Sequence, residues 1–237
     1  MKITWLGQAG LLFEINEKKI IIDPYLSNSV EKQQPQNYRR QPIDERFLRI
    51  KPDIIIITHN HADHLDKETL CHYINEESEI TVLAPNGAWQ ELRRFGGSKN
   101  NYVLFNNGTT WTESFASFRA VKAEHSDEYA IGVIIQAEEK RYYVTGDTLY
   151  SERVFESLIN APIDYLFLPI NGKGNNMNIL DAERFAKRIN AKCNVPTHFG
   201  LFDEICPADI TLKNKKILPL YVEVFLDETS VKPRNIK

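Results

Sequence analysis

Asp53-Ile54-Ile55-Ile56-Ile57-Thr58-His59-Asn60-His61-Ala62-Asp63-His64 is the stretch on which the fold and the chemistry of this chain turn. Its first half is an unbroken apolar, β-branched run, the pattern of a short strand buried on both faces. Its second half places three histidines and an aspartate within six residues, directly where that strand must end. Side chains two apart in extended backbone point the same way, so His59 and His61 can converge on one point. Asp63 and His64 follow at the start of an expected helix and can converge on a second point. Imidazole nitrogen and carboxylate oxygen are ligands for zinc and, with more oxygen, for manganese or iron. A polar surface loop has no need for three histidines in so short a span.

Outward from this stretch toward the N-terminus, strands are expected over residues 2–6, 10–15 and 19–22, with a turn at 16–18. Ile20-Ile21-Ile22 runs into Asp23-Pro24. An acid that ends a buried strand is costly unless it is paired. Asp23 reads either as a carboxylate that holds a metal-binding imidazole by its other N–H, or as a turn cap before proline. Residues 27–50 are polar and too long for an ordinary connection, so they read as a lid, a rim or a plain mobile loop, with Arg39-Arg40 on a solvated face.

Toward the C-terminus, a helix is expected over 66–75 with Asp66 as its cap and His72 on its surface or in its packing. A strand over 80–84, a helix over 87–95 and a strand over 102–105 continue a βαβα rhythm. The second half is richer in strands, expected at 110–121, 129–136, 141–145, 164–170, 193–196 and 221–226. Helices are expected at 151–159, 181–189 and near 207–212. Each half lays down strands and then strand–helix units, an α/β class of fold.

With 237 residues, 42% of them hydrophobic, the chain can bury a sizeable core, as one large domain or two fused halves. The formal net charge of -3 gives no basic field to draw nucleic acid or an anionic membrane. The N-terminus enters a strand at once, without a secretory signal, and no apolar run approaches the ~20 residues of a membrane span. Cys71, Cys193 and Cys206 are scattered and odd in number, which favours a reducing cytoplasm over a disulfide framework.

Further donors stand at other strand-to-loop junctions: His125, Asp147 and His198. Strand ends on one edge of a layered sheet gather into one crevice. Each metal needs three or four protein donors and an open position. Seven donors with Asp147 shared give four to each of two metals, and ions about 3.5–4 Å apart can act together on one water.

The loop His59-x-His61-x-Asp63-His64 resembles the His-x-His-x-Asp-His signature of the metallo-β-lactamase superfamily. His125, Gly146-Asp147-Thr148 and Thr197-His198 are similar to its remaining ligand motifs, in order. The resemblance spans almost the whole chain, residues 1–237 as one domain. It implies a four-layer αββα sandwich with the site at one edge. It also implies that His59, His61 and His125 hold one metal, that Asp63, His64 and His198 hold the other, and that Asp147 bridges them. Asp23 matches an Asp-Pro of the family that supports the ligands. Within the superfamily the chain looks most like the L-ascorbate 6-phosphate lactonase group and its small relatives. Phe167-Leu168-Pro169-Ile170-Asn171-Gly172, Met177-Asn178, Asp181-Ala182 and the run 195–202 carry that narrower likeness. It makes Asn171, Lys173 and Asn178 candidate substrate contacts. The lactonases are longer chains, so their particular substrate does not transfer.

The function expected is hydrolysis of a lactone or ester in a small anionic molecule, by a water that two divalent ions activate, zinc or manganese ahead of iron. Asp63 would both bind its ion and orient that water. Phosphodiester cleavage of cyclic nucleotides or RNA is the alternative within enzymes, and non-catalytic metal or ligand binding the alternative outside them. The expected partner is a small substrate, with no membrane and with the sequence against nucleic acid. A homo-oligomer is compatible with all of this.

Overall fold

The computed structural model describes residues 1–158 and 162–226. The chain opens with a meander of β1 (Lys2–Gly7), β2 (Gly10–Ile15) and β3 (Lys18–Ile22), antiparallel throughout. Asn16 and Glu17 join the second pair with φ of 48° and 67°. Two left-handed residues in a row twist a hairpin in the sense its strands require. β3 then pairs in parallel with β4 (Ile54–Ile56), β4 with β5 (Thr81–Ala84) and β5 with β6 (Asn101–Leu104).

The second sheet repeats the plan. β7 (Thr110–Thr112), β8 (Ser117–Lys122), β9 (Ile131–Ala137) and β10 (Lys140–Val144) are antiparallel; β11 (Tyr165–Pro169) and β12 (Cys193–Thr197) extend it in parallel. β13 (Glu223–Phe225) returns to the outer edge of the first sheet, beside β1. The orders are β13-β1-β2-β3-β4-β5-β6 and β12-β11-β10-β9-β8-β7.

Alternation along the strands divides the core. Ile20 and Ile22 of β3, with Ile54 and Ile56 of β4, face the second sheet, where Phe13 meets Phe167 edge-on at 5.6 Å. Ile21 and Ile55 face the other way, onto α2 (Lys67–Leu70) and α3 (Asn86–Phe95) through Leu70, Ala88 and Leu92. That double burial is why β4 is isoleucine at every position and β3 over its last three. Val154 of α4 (Glu152–Ser157) and Ala182, Phe185 and Ala186 of α5 (Ile179–Ile189) cover the second sheet. The layers are helix, sheet, sheet, helix, as the resemblance implied.

Four elements differ from expectation, each for a local reason. Residues 110–121 are two strands, because Glu113 N donates to Ala116 O (2.9 Å) and turns the chain. The helix expected over 66–75 ends at Leu70. His72 N and Tyr73 N bond to carbonyls three residues back, and Ile74 O is taken by Gly97 N at 2.7 Å. Near 207–212 there is only a 3-10 turn, Pro207–Asp209. The Lys215 ammonium captures the carbonyls of Pro207, Ala208 and Ile210 at 2.7–3.1 Å. The expected 151–159 helix ends at Ser157, with Ile159 outside the described residues.

Residues 27–50 form a strap. It begins with α1 (Ser29–Gln33), ends in a 3-10 turn (Phe47–Arg49) and packs Ile43, Phe47, Leu48 and Ile50 on the outer core. The Arg39 guanidinium fastens it, donating to Ser27 O (3.2 Å), to Tyr25 O and to the Tyr221 hydroxyl. Arg39 is therefore a staple and not part of a solvated face. Among the described residues no helix is long and apolar enough to cross a membrane, and the cysteines form no disulfide.

Candidate metal centre

Chemistry-bearing residues follow the C-terminal ends of strands in both sheets. Gln8 follows β1, Asp23 follows β3, and the Thr58–His64 turn follows β4. His125 comes after β8, Asp147 after β10 and His198 after β12. The sheets are laced together here: Ile131 N donates to Thr58 O (3.0 Å) and His198 N to Gln8 O (2.9 Å). Gly146 has φ +61°, and a Cβ there would lie 2.7 Å from Ile131 O, so only glycine lets the Asp147 loop approach this closely.

All seven expected donors meet. Among the described residues, three groups have donor atoms within 4.8 Å of one another. They are His59, His61 and His125; Asp63, His64 and His198; and His59, His64 and Asp147, which joins the other two. His198 Nε2 stands 3.3 Å from both Asp63 Oδ2 and Asp147 Oδ2. His64 Nε2 is 3.3 Å from Asp147 Oδ1 and 3.4 Å from His198 Nε2. His125 Nε2 is 3.1 Å from His61 Nδ1. His59 and His64 are fully buried, while Asp63 keeps 18% of its side chain exposed, so the cluster opens to solvent on that side.

Three of the five imidazoles are held from behind. His59 Nδ1 donates to Thr58 Oγ1 (3.1 Å), His64 Nδ1 to Asp23 Oδ2 (2.8 Å) and His125 Nδ1 to Asn175 O (3.2 Å). Fixing one ring nitrogen turns the other, Nε2, toward the centre. His59 Nε2 and Asp147 Oδ1 are buried there with no hydrogen bond among the described residues. An imidazole nitrogen without a partner, beside a buried carboxylate oxygen that faces the His64 ring at 3.3 Å without a hydrogen bond, is what a divalent cation would satisfy. The donor set therefore fits a metal.

Charge in the metal-free cluster is sorted by neighbours. Burial, and the His64 charge beside it, push His59 well below the usual histidine range. Burial also opposes charge on His64 and His198, but nearby carboxylates outweigh it. Asp147, Asp23 and Asp63 hold His64 well above its ordinary value, and Asp147 and Asp63 raise His198 to about 10. Asp63 and Asp147 are in turn held below the usual carboxylate range by those histidines, against the penalty of burial. At neutral pH two imidazoliums face ionised carboxylates.

An ion can bind His64 and His198 only as these lose their protons. Loading of the metal-free protein at pH 7 is expected to release protons, and affinity is expected to rise as pH rises toward 10. Metal titration in weak buffer with an indicator dye checks this, and binding without proton release would contradict it.

Supporting groups that composition and spacing did not reveal include Gln8, Asn176 and Thr58. Gln8 Nε2 donates to Asp63 Oδ2 (2.9 Å) and lies 3.1 Å from His198 Nδ1. Asn176 Nδ2 donates to Asp147 Oδ2 (2.7 Å). Thr58 gives its N–H and its hydroxyl to Asp23, at 2.8 and 2.5 Å. A signal for Gln8 was present: a polar side chain between Gly7 and Gly10 in an otherwise apolar hairpin. The three expected substrate contacts lie on one folded-back stretch, where Gly172 N donates to Met177 O (3.0 Å) and a Cβ on Gly172 would come within 2.9 Å of the Asn178 Cβ. Asn171 has its Oδ1 buried without a partner among the described residues. Lys173 is exposed and lines a cavity beside the site. Asn178 is occupied as the cap of α5, accepting from Asp181 N at 2.9 Å.

Two packed sheets with helices outside and a histidine–aspartate cluster at one edge define a metallo-β-lactamase type of domain. The family model for the beta-lactamase superfamily domain matches residues 18–199, and the chain belongs to that superfamily. It is 30% identical over 218 residues to a UPF0173 metal-dependent hydrolase of Staphylococcus epidermidis, covering 85% of this chain and 87% of that one. In fold it is similar to Igni18, a metallo hydrolase of the archaeon Ignicoccus hospitalis (TM-score 0.73, 21% identity, 94% of this chain and 97% of that one). It is equally similar to an isothiocyanate hydrolase from Delia radicum gut bacteria (TM-score 0.73, 17% identity, 95% and 99%).

Proposed function

We propose that this protein is a metal-dependent hydrolase that opens a lactone or ester in a small anionic molecule. The observation that carries this is the middle donor group, His59, His64 and Asp147, which links the other two groups into one continuous site. His59, His61 and His125 would hold one divalent ion, Asp63, His64 and His198 a second, with Asp147 between them. Zinc or manganese suits these ligands. Such a pair supplies Lewis acidity, lowering the pKa of water toward about 7 and polarising the carbonyl under attack.

The chain's own groups do the rest. Asp63 is ionised and open to solvent on one side, and the Gln8 amide fixes one of its oxygens. It is placed to orient a water as a hydrogen-bond acceptor. Asn176 and the tight Gly146 turn keep Asp147 in position. The resemblance of residues 167–172 and 195–202 to the ascorbate 6-phosphate lactonase group, read from the sequence alone, would make a lactone the bond broken.

The test is acid release at constant pH from zinc- or manganese-loaded protein. The panel is a phosphorylated sugar lactone, a simple lactone and a cyclic phosphodiester, with His61→Ala as control. Release from a lactone that disappears in His61→Ala is expected. Release from the phosphodiester alone would replace the lactone assignment, and full turnover by metal-stripped protein would end the metal-dependent one.

A further inference from the structure

Arg39 and Arg40 are adjacent in sequence but have different employments. Arg39 is spent on the strap's own contacts. Arg40 is tied by its backbone, N to Leu201 O at 3.0 Å, and its guanidinium lies 4.5 Å over the Tyr38 ring. Its Nη1 is enclosed yet makes no hydrogen bond among the described residues. An enclosed donor on a cation without an acceptor is costly, so this orientation calls for a partner.

Arg40 lines a cavity of ≈ 460 Å³ whose other wall includes Gln8. Gln8 Nε2 is committed to Asp63, and Gln8 Oε1 is buried with no partner among the described residues. Trp5 and Phe199, with ring centroids 4.8 Å apart, also line the cavity. The cavity is thus lined by two residues, Arg40 and Gln8, that each hold an enclosed polar atom without a partner among the described residues, Gln8 standing next to the histidine–aspartate cluster, and by an apolar side. A volume in this range accepts a small molecule. Lys173 joins Arg40 in an adjoining cavity of ≈ 400 Å³.

Acidic groups are present too. Asp203 is occupied in its own turn, accepting from Gly200 N and Ile205 N, both at 2.9 Å. Glu204 and Asp209 are exposed, and no ion pair to Arg40 is formed among the described residues.

We infer that Arg40 binds a terminal oxyanion of the substrate, a phosphate ester or carboxylate, while Gln8 Oε1 accepts from a hydroxyl nearer the reacting bond. This assignment rests on the hydrolase function proposed above. A guanidinium fork matches both oxyanions, because its paired N–H groups meet two oxygens at once. The strap is then a specificity element and more than a cover.

The test compares 6-phosphogluconolactone with gluconolactone as substrates of the zinc-loaded, full-length protein. Arg40→Gln is expected to raise KM for the phosphorylated lactone by about 10- to 100-fold, the scale of one charged hydrogen-bonded contact. Its kcat on that lactone and its KM for the neutral one should stay within about twofold, and Arg40→Lys should recover part of the loss because charge remains without the fork. Equal KM increases on both lactones, or none on either, would overturn the assignment. If the wild type opens neither lactone, the lactone assignment fails separately, and binding decides. Calorimetric titration would then use glucose 6-phosphate and glucose. Binding of the phosphate that is weakened about tenfold or more in Arg40→Gln would uphold the subsite. Equal binding by both proteins, or none by the wild type, would refute it.

Discussion

Asp147→Ala is expected to lower hydrolysis by about 10³-fold or more, since it removes the donor that serves both ends of the cluster and the preorganised electrostatics that depend on it. Asp147 is 5% exposed, stands 3.3 Å from both His64 and His198, and is held by Asn176. The variant should still fold. His64 and His198 keep Asp23 and Asp63 as counter-charges, so removing Asp147 leaves the buried cluster balanced. Circular dichroism and metal content separate a folded, metal-depleted protein from an unfolded one. Turnover at the wild-type rate in a folded Asp147→Ala protein would remove Asp147 from the reaction.

Asp23→Ala should produce the largest loss of stability, about 3–5 kcal/mol, the usual cost of stripping a buried charge of its partner. Asp23 is 1% exposed. It accepts from Thr58 N, Thr58 Oγ1 and His64 Nδ1, and it sits at φ 45°. Alanine leaves three donors unpaired and strains the backbone, since left-handed geometry suits few residues beyond glycine, asparagine and aspartate. Metal affinity should also fall by about 10- to 100-fold, because His64 loses the group that orients it. Asp23→Asn divides the two effects. It tolerates the backbone and can still accept from Thr58, so more stability survives, while the loss of charge keeps affinity low. Thermal unfolding and metal competition with a chelating dye read both quantities. Wild-type values for both in Asp23→Ala would show that the aspartate is only a turn residue.

The histidine–aspartate cluster was legible because chemistry and spacing coincided. His59 to His64 lie in one turn after an isoleucine strand, and His125, Asp147 and His198 each follow a strand that the apolar pattern marks. The two-sheet plan was legible in part from the same strands, and the sandwich itself came from the family resemblance. What escaped depended on distant partners. Nothing local tells that Lys215 will take three carbonyls near 207 and prevent a helix. Nothing local separates Arg39 from Arg40, because their roles are set by Tyr25, Tyr221 and the cavity wall. Asn178, a substrate contact expected from the family resemblance, also caps the first turn of α5 through its Oδ1, a role that depends on where the helix begins. Asn176, two residues earlier, is the one that reaches Asp147.

The lacing of the cluster across both sheets also sets a timetable. His64 and His198 meet across 134 positions, and Gln8 and His198 across 190. At a synthesis rate of roughly 5–20 residues per second, the histidine-rich turn precedes its last partner by about 7–27 s. Through that interval the first sheet carries a half-built binding site, with His64 paired to Asp23 but still without His198. Capture of a metal would therefore be a closing event in the birth of the molecule. A nascent chain arrested before residue 198 should bind ions weakly, and firm metal retention would report that the second sheet has docked.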